Sequence, residues 1–261
     1  MLTLLRGVES RAVRVAVLAD AHAHAEAFDT VAAAAVVHGV DALWSLGDMI
    51  GRGPDPEQVV ARTRELCAVA LLGNHDYGAT GAAEPTRFGP PGSPAARSIE
   101  LARERLDPDA IAWLRSRRPA ARRGDVQCWH GSPRNPVHEY VRASNAGACL
   151  AAQRGWLGLA GHTHLAAAWQ QTPRGARAAR IRVGEPLALG EGKWLLNPGA
   201  VGAPVPPIPR ADWWGALDAQ AAAGACWLLL DLDARVATWL RAPYDPAPAR
   251  ERARALGLTD A

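Results

Sequence analysis

Lysine is nearly absent from this chain of 261 residues. Lys193 is the only one, so arginine carries almost all of the positive charge. The balance is mild, with a net charge of +3 and a pI ≈ 8.9. No dense basic patch interleaved with aromatics appears, which speaks against specific DNA binding. Mild basicity remains compatible with small anionic substrates. The four cysteines (Cys67, Cys128, Cys149 and Cys226) show no C-x-x-C pairing and no regular spacing. Buried free thiols in a reducing compartment fit them. A charged leader followed by an apolar run and a cleavage site is not found. The longest uncharged apolar stretch, near Ala219 to Leu230, is too short to span a bilayer. A cytoplasmic protein outside the membrane is therefore expected. The hydrophobic fraction of 49% is ample for a core. No internal repeat or long linker interrupts the chain, so one domain over residues 1–261 is expected.

What the chain does have is a series of short apolar runs that end in polar residues. Val13 to Ala19 reads as a buried strand and stops at Asp20-Ala-His22. Ala25 to His38 has helical spacing, and Gly39 suits its stop. Asp41 to Leu46 reads as a second strand and runs into Gly47-Asp48-Met-Ile-Gly-Arg52-Gly-Pro54. Pro56 then opens a helix to about Leu66. A third strand, Ala68 to Leu72, ends in Gly73-Asn74-His75-Asp76. Glu84 to Pro94 reads as a surface loop, followed by helices over about Ala95 to Leu106 and Asp107 to Arg117. Asp107-Pro108 supplies a good N-cap and first turn. A fourth strand, Asp125 to Trp129, ends in His130-Gly-Ser-Pro133. Ser144 to Arg154 reads as helix, and Leu157 to Ala160 leads into Gly161-His162-Thr-His164. Leu165 to Leu196 reads as further strands, among them Ile181 to Val183 and Lys193 to Leu196. Asn197-Pro-Gly and a proline-rich loop, Ala203 to Pro209, come next. Cys226 to Leu232 and Val236 to Leu240 form a hairpin on this reading, and Pro246 to Leu256 an arginine-rich helix.

Residues i and i+2 of an extended segment point to the same side. His162 with His164, and Asp20 with His22, can therefore each present two groups to one small space. Imidazole is the commonest metal ligand among side chains. A lone histidine after a strand is more often a satisfied structural residue. Here five strand ends carry such groups, and in open α/β sheets ligands bind beyond the carboxyl ends of strands.

This series, Asp20-x-His22, Gly47-Asp48, Gly73-Asn74-His75-Asp76, His130-Gly-Ser-Pro and Gly161-His162-Thr-His164, resembles the calcineurin-like metallophosphoesterase superfamily. Gly-Pro-Asp-Pro after Asp48, Glu139-Tyr140, Asn197-Pro-Gly and Tyr244-Asp245 are similar to its small bacterial phosphodiesterase-like branch. The resemblance covers nearly the whole chain. It implies an α/β fold, a four-layer α/β/β/α sandwich of two mixed sheets flanked by helices. It also implies two divalent ions. Asp20, His22, Asp48 and His164 would hold the first, and Asp48, Asn74, His130 and His162 the second. Asp48 can bridge because a carboxylate has two oxygens, while Asn74 adds an oxygen without charge. Such mixed N/O ligands suit Mn, Fe, Zn, Co or Ni, with Mn the first choice in vitro.

Two divalent ions less Asp20, Asp48 and a bridging hydroxide leave a formal charge of about +1, which favours an anion. In-line attack of a metal-bound hydroxide on a phosphate ester, possibly of a nucleotide, follows from the resemblance. His75 would protonate the leaving oxygen, with Asp76 orienting its ring, and Arg52 could contact phosphate. Arg134, His138 and Glu139 could line the substrate side. His24 departs from the superfamily's usual glycine-asparagine and could be a further site group. Trp213-Trp214, within the longer stretch Ala203 to Trp214, could cover the cleft. A phosphodiesterase is the first expectation. A dinucleoside-polyphosphate hydrolase or a protein-phosphatase-like monoesterase is an alternative, suggested by the loop after Asp48. A metal-stabilised protein-binding scaffold without turnover is the alternative from another class. Oligomeric state is not legible in the sequence.

Overall fold

The computed structural model describes residues 14–202 and 224–258. The proline-rich loop after Gly202 and Trp213-Trp214 lie outside the described residues. Strands β1 (Arg14–Leu18), β2 (Ala42–Ser45) and β3 (Cys67–Ala70) alternate with helices α1 (Ala25–Val37) and α2 (Pro56–Leu66). Helices α3 (Asn74–Ala79), α4 (Pro94–Arg105) and α5 (Pro108–Arg115) follow. The second half contains β4 (Ala120–Arg123), β5 (Val126–Trp129), α6 (Ala146–Ala152), β6 (Leu157–Ala160), β7 (Ala167–Thr172), β8 (Gly175–Ala178), β9 (Pro186–Ala188) and β10 (Trp194–Asn197). A hairpin of β11 (Ala225–Asp231) and β12 (Val236–Ala242) precedes helix α7 (Ala247–Ala255).

These strands form two six-stranded sheets, ordered β3-β2-β1-β11-β12-β9 and β4-β5-β6-β10-β7-β8. β1, β2 and β3 are parallel, as are β5, β6 and β10, while β11 runs antiparallel to β1 and β7 to β10. Strand alternation builds the layers. Val15 and Val17 of β1, with Leu228 and Leu230 of β11, meet Cys128, Leu159, Trp194 and Leu196 between the sheets. Ala16, Leu18 and Trp227 face the other way, onto Phe28, Val31, Val59, Ile99 and Leu114 of the helices. Trp129, Trp169 and Leu195 cover the outer face of the second sheet under Cys149 and Leu150 of α6. The order is thus helix, sheet, sheet, helix, as the family resemblance implies. Among the described residues no helix is long and apolar enough to cross a membrane.

Three local readings change. Ile181 to Val183 is not a strand. Ile181 is buried between the sheets as irregular chain, with Val183 packed against the same cluster, so the alternation there serves burial without strand pairing. β4 was not legible, since its sequence Ala-Ala-Arg-Arg has no alternation; it is an edge strand paired with β5. The Gly73-Asn-His-Asp segment opens the short helix α3 rather than merely closing a strand.

Candidate metal centre

The loops leaving β1, β2 and β6 share an uncommon backbone. Asp20, His22, Ala23, Asp48, Arg52, His162 and His164 have φ between 46° and 66°. Among the described non-glycine residues only Arg235 also does so. Side chains disfavour this region, by about 1–2 kcal/mol per residue, so it persists where neighbours over-determine it. Here the backbones of two loops stitch together. Asp20 N–H donates to Gly47 O (3.0 Å), His22 N–H to Asp48 O (2.9 Å), Ala23 N–H to Met49 O (2.7 Å) and Gly53 N–H to His22 O (3.0 Å).

Asp76 locks the same region from beneath. Its carboxylate accepts from the backbone N–H of Gly73 (2.8 Å), Asp48 (2.9 Å), Met49 (2.9 Å) and Ile50 (3.2 Å). Both oxygens are thus engaged with backbone, and neither is bonded to the ring of His75. The expected ring-orienting role of Asp76 is corrected accordingly: it shapes the turn that carries Asp48. Gly73 packs so closely that a Cβ there would lie 2.0 Å from Asp48 Oδ1. On the other sheet, Asn197 Nδ2 donates to Gly161 O (2.7 Å) and Thr163 Oγ1 (3.0 Å), holding the histidine loop.

These loops bring the seven ligand candidates to one buried space. Asp20, His22, Asp48 and His164 have ligand atoms within 4.8 Å of one another, as do Asp48, His130 and His162. Asp48 belongs to both groups. Asn74 Oδ1 joins at 3.0 Å from His130 Nε2. The ring tautomers are set from outside. His22 Nδ1 lies 3.0 Å from Ile50 O, and His130 Nδ1 lies 3.0 Å from Leu46 O. A carbonyl can only accept, so both Nδ1 atoms carry the proton and both Nε2 atoms expose bare lone pairs when neutral. Those lone pairs point at Asp48 Oδ2, at 3.7 and 3.5 Å. His22 Nε2 is also 2.9 Å from His164 Nε2, and His130 Nε2 is 3.1 Å from His162 Nδ1. The bare Nε2 atoms and an ionised Asp48 carboxylate can only accept, so they do not stabilise one another; a cation between them is the group this donor set fits.

Electrostatics agree. Burial keeps His22 well below the usual imidazole range and takes His130 down to about 4 and His162 to about 2. All three rings are therefore neutral, the form that ligates. Burial pushes Asp48 up to about 7, and burial together with the charge of Asp48 holds Asp20 well above the carboxylate range. The pocket penalises uncompensated negative charge, which divalent ions would neutralise.

Other expected site residues fall around this cluster. His75 is buried, its ring edge-on to His22 at 4.8 Å and tilted on Phe88 at 4.7 Å. Its Nδ1 has no hydrogen-bond partner among the described residues. Arg52 is exposed and makes no hydrogen bond or ion pair among the described residues. Its charge nevertheless acts on Asp20, Asp48, His22, His75 and His162. His24 is tied back to His22 O (2.7 Å), and its charged neighbours are Asp55, Glu26 and Arg252, none of them in either ligand group. It supports the His22 turn. Arg134 pairs with Glu139 (3.5 Å). Glu139 also bonds Ser132 and Asn145 Nδ2, the latter at 3.4 Å. The loop so held presents His138, whose backbone bonds the His162 side chain, and Tyr140. Tyr140 stacks on His162 with centroids 4.0 Å apart and planes 5° apart. No sequence signal beyond the Glu139-Tyr140 pair indicates that contact.

Two ligand groups sharing one aspartate at the strand ends of a two-sheet sandwich define a metallophosphoesterase-type protein. The chain belongs to the calcineurin-like phosphoesterase superfamily, whose family model matches residues 13–212. It is similar to a metallophosphoesterase from Sphaerobacter thermophilus of known crystal structure, with 29% identity, a TM-score of 0.79 and coverage of 96% of both chains. A protein of Pyrococcus horikoshii shares the fold at a TM-score of 0.71 and 16% identity, over 95% of this chain and 94% of the other. An uncharacterised protein of Methanocaldococcus jannaschii is 26% identical over 204 residues, covering 76% of this chain and 80% of its own. The family and the buried Asp/His cluster point to divalent metal ions and phosphoester hydrolysis.

Proposed function

We propose that the chain is a dinuclear metal-dependent phosphoesterase that prefers phosphodiesters. One observation carries the reading: the Nε2 lone pairs of His22 and His130, bared by protons held at Nδ1, converge on the carboxylate of Asp48 shared by both ligand groups. Asp20, His22, Asp48 and His164 would hold one ion, and Asp48, Asn74, His130 and His162 the other. Mixed N/O donors suit Mn, Fe, Zn, Co or Ni. Divalent ions held there would supply Lewis acidity and an activated water.

The chain's own residues do the rest. Arg52 stands free beside the cluster and can clamp two phosphoryl oxygens with two parallel N–H bonds. One guanidinium suits a singly charged diester better than a doubly charged monoester. His75, walled by His22 and Phe88, can deliver a proton to the leaving oxygen. Burial and the charge of Arg52 hold its pKa well below the ordinary value in the empty site. An incoming phosphate reverses that balance, because negative charge beside the ring favours the imidazolium.

The test is metal analysis of the purified protein, then hydrolysis of a chromogenic phosphodiester and the matching monoester with added Mn²⁺. Bound ions with faster diester turnover are expected. A protein that binds ions and hydrolyses neither ester is a scaffold, and the proposal fails.

A further inference from the structure

A cavity of ≈ 340 Å³ outside the metal cluster is lined by Arg115, Arg117 and Arg118, with Leu72, Tyr77 and Thr80 among the other walls. Among the described residues no carboxylate lines it. Some arginines of the described chain pair with acids: Arg62 with Asp29, Arg97 with Glu104, Arg103 with Glu84 and Arg252 with Asp55. Arg115, Arg117 and Arg118 have no such partner among the described residues.

Two of the three guanidinium groups are already tethered. Arg115 donates Nε and Nη2 to Thr80 O at 3.2 and 2.8 Å. Arg117 donates Nε and Nη2 to Ser116 Oγ at 3.1 and 2.9 Å and lies over the Trp113 ring at 5.3 Å. Each keeps donors to spare, since a guanidinium carries five. Arg118 is fixed through its backbone, whose carbonyl accepts from Leu72 N–H at 3.0 Å. Arg115 alone could be read as a cap on the last carbonyls of α3. That role explains neither Arg117 nor Arg118. Like charges gathered at one cavity repel, and a counter-anion relieves them.

We propose that this cavity binds an anion carrying a short phosphate chain, either free pyrophosphate or the phosphate tail of a nucleotide. Arginine forks match phosphate oxygens in pairs. The volume lies at the small end of the range for small-molecule sites, about 300–1,000 Å³. The inference is independent of the reaction at the metal centre.

Calorimetric titration of the chelator-treated full chain at low ionic strength tests it, with pyrophosphate, ATP and adenosine as probes. Pyrophosphate is expected to bind saturably. Affinity should fall about tenfold or more in the Arg117→Gln/Arg118→Gln variant, the loss of one charge-assisted hydrogen bond. It should be unchanged in Arg52→Gln, which places the anion away from the metal cluster. ATP binding in parallel assigns the site to nucleotide phosphates; pyrophosphate binding alone assigns it to the free anion. Equal affinity in wild type and double variant overturns the proposal. So does no binding up to about 10 mM, loss in Arg52→Gln instead, or adenosine binding as tightly as ATP. Should circular dichroism show the double variant unfolded, Arg118→Gln serves alone, because that side chain bonds nothing among the described residues. An unchanged pyrophosphate affinity in it would equally refute the site.

Discussion

Gly51 is the position from which the role of His75 can be tested without touching a ligand. A Cβ built there would lie 2.3 Å from His75 Nδ1 and 3.0 Å from its Cγ, and its nearest contacts would all be atoms of His75. The ring cannot simply retreat. Phe88 and His22 wall it, and its backbone N–H is bonded to Asp48 Oδ1 at 2.9 Å. In Gly51→Ala the imidazole must therefore shift by about 1 Å to restore ordinary contact, a displacement that can cost about 10²-fold in rate. Complete loss of general acid catalysis would cost about 10²–10⁴-fold. Stability should fall too, by roughly 2–5 kcal/mol, because alanine at a φ of +82° adds backbone strain to the overlap. The assay is steady-state hydrolysis of two phosphodiesters, one with an aryl and one with an alkyl leaving group. An aryl oxide leaves without a proton, whereas an alkoxide needs one. The variant should keep its metal content, lose most alkyl-ester activity and retain much of its aryl-ester activity, as His75→Ala should. Equal losses on both esters, or full activity in Gly51→Ala, would refute the placing of His75 as acid.

Metal binding should be proton-coupled. Burial pushes Asp48 up to about 7 in the ion-free protein, so it is mostly protonated at pH 6 and mostly ionised at pH 8. A ligating carboxylate must give up that proton. Apparent affinity should rise across this window, and proton release should be larger at pH 6, as calorimetry in two buffers of different ionisation enthalpy would record; equal release at both pH values contradicts this. Tyr140→Ala should weaken one of the two ions by about tenfold, the usual effect of losing a group that orients a ligand. Tyr140→Phe should preserve the stack on His162 and the affinity, and competition with a chelating dye distinguishes them. Asp76→Ala should destabilise the chelated protein by about 3–5 kcal/mol, since several buried N–H groups lose their acceptor together. A urea midpoint unchanged within error would show that water replaces the carboxylate.

Much of the site was legible because each ligand candidate is a local statement. A strand exposes its end, a glycine permits the turn, and an aspartate or histidine stands one or two residues on. The sandwich was legible only through the resemblance that those motifs carry; the two faces of β1, Val15 and Val17 against Ala16 and Leu18, are seen in the fold and not in its uniformly apolar sequence. What escaped is non-local. The carboxylate of Asp76 bonds amides 26 to 28 residues away on the Asp48 turn, while its neighbour His75 looks like the obvious partner in sequence. Tyr140 reaches His162 only because Glu139 pins the intervening loop to Ser132 and Asn145. Arg252 in the last helix bonds Asp55 (3.0 and 2.7 Å) and Glu26 (2.5 Å), bracing the first turn of α1 and the loop before α2 across almost the whole chain.

Left-handed geometry at Asp20, His22, Asp48, His162 and His164 belongs to the same class. Aspartate and histidine enter this region more readily than most side chains, but glycine would do so without strain. At Asp20, His22 and Asp48 the backbone stitching between the two loops and the amides gathered by Asp76 impose it, while Asn197 on Gly161 and Thr163, and the Asp20 carboxylate on the His162 N–H, hold the loop of His162 and His164. The strain is thus carried by the scaffold before any cation arrives. Substitutions at Asp76 or Arg252 should accordingly disturb metal affinity through ligand geometry, although neither side chain belongs to a ligand group.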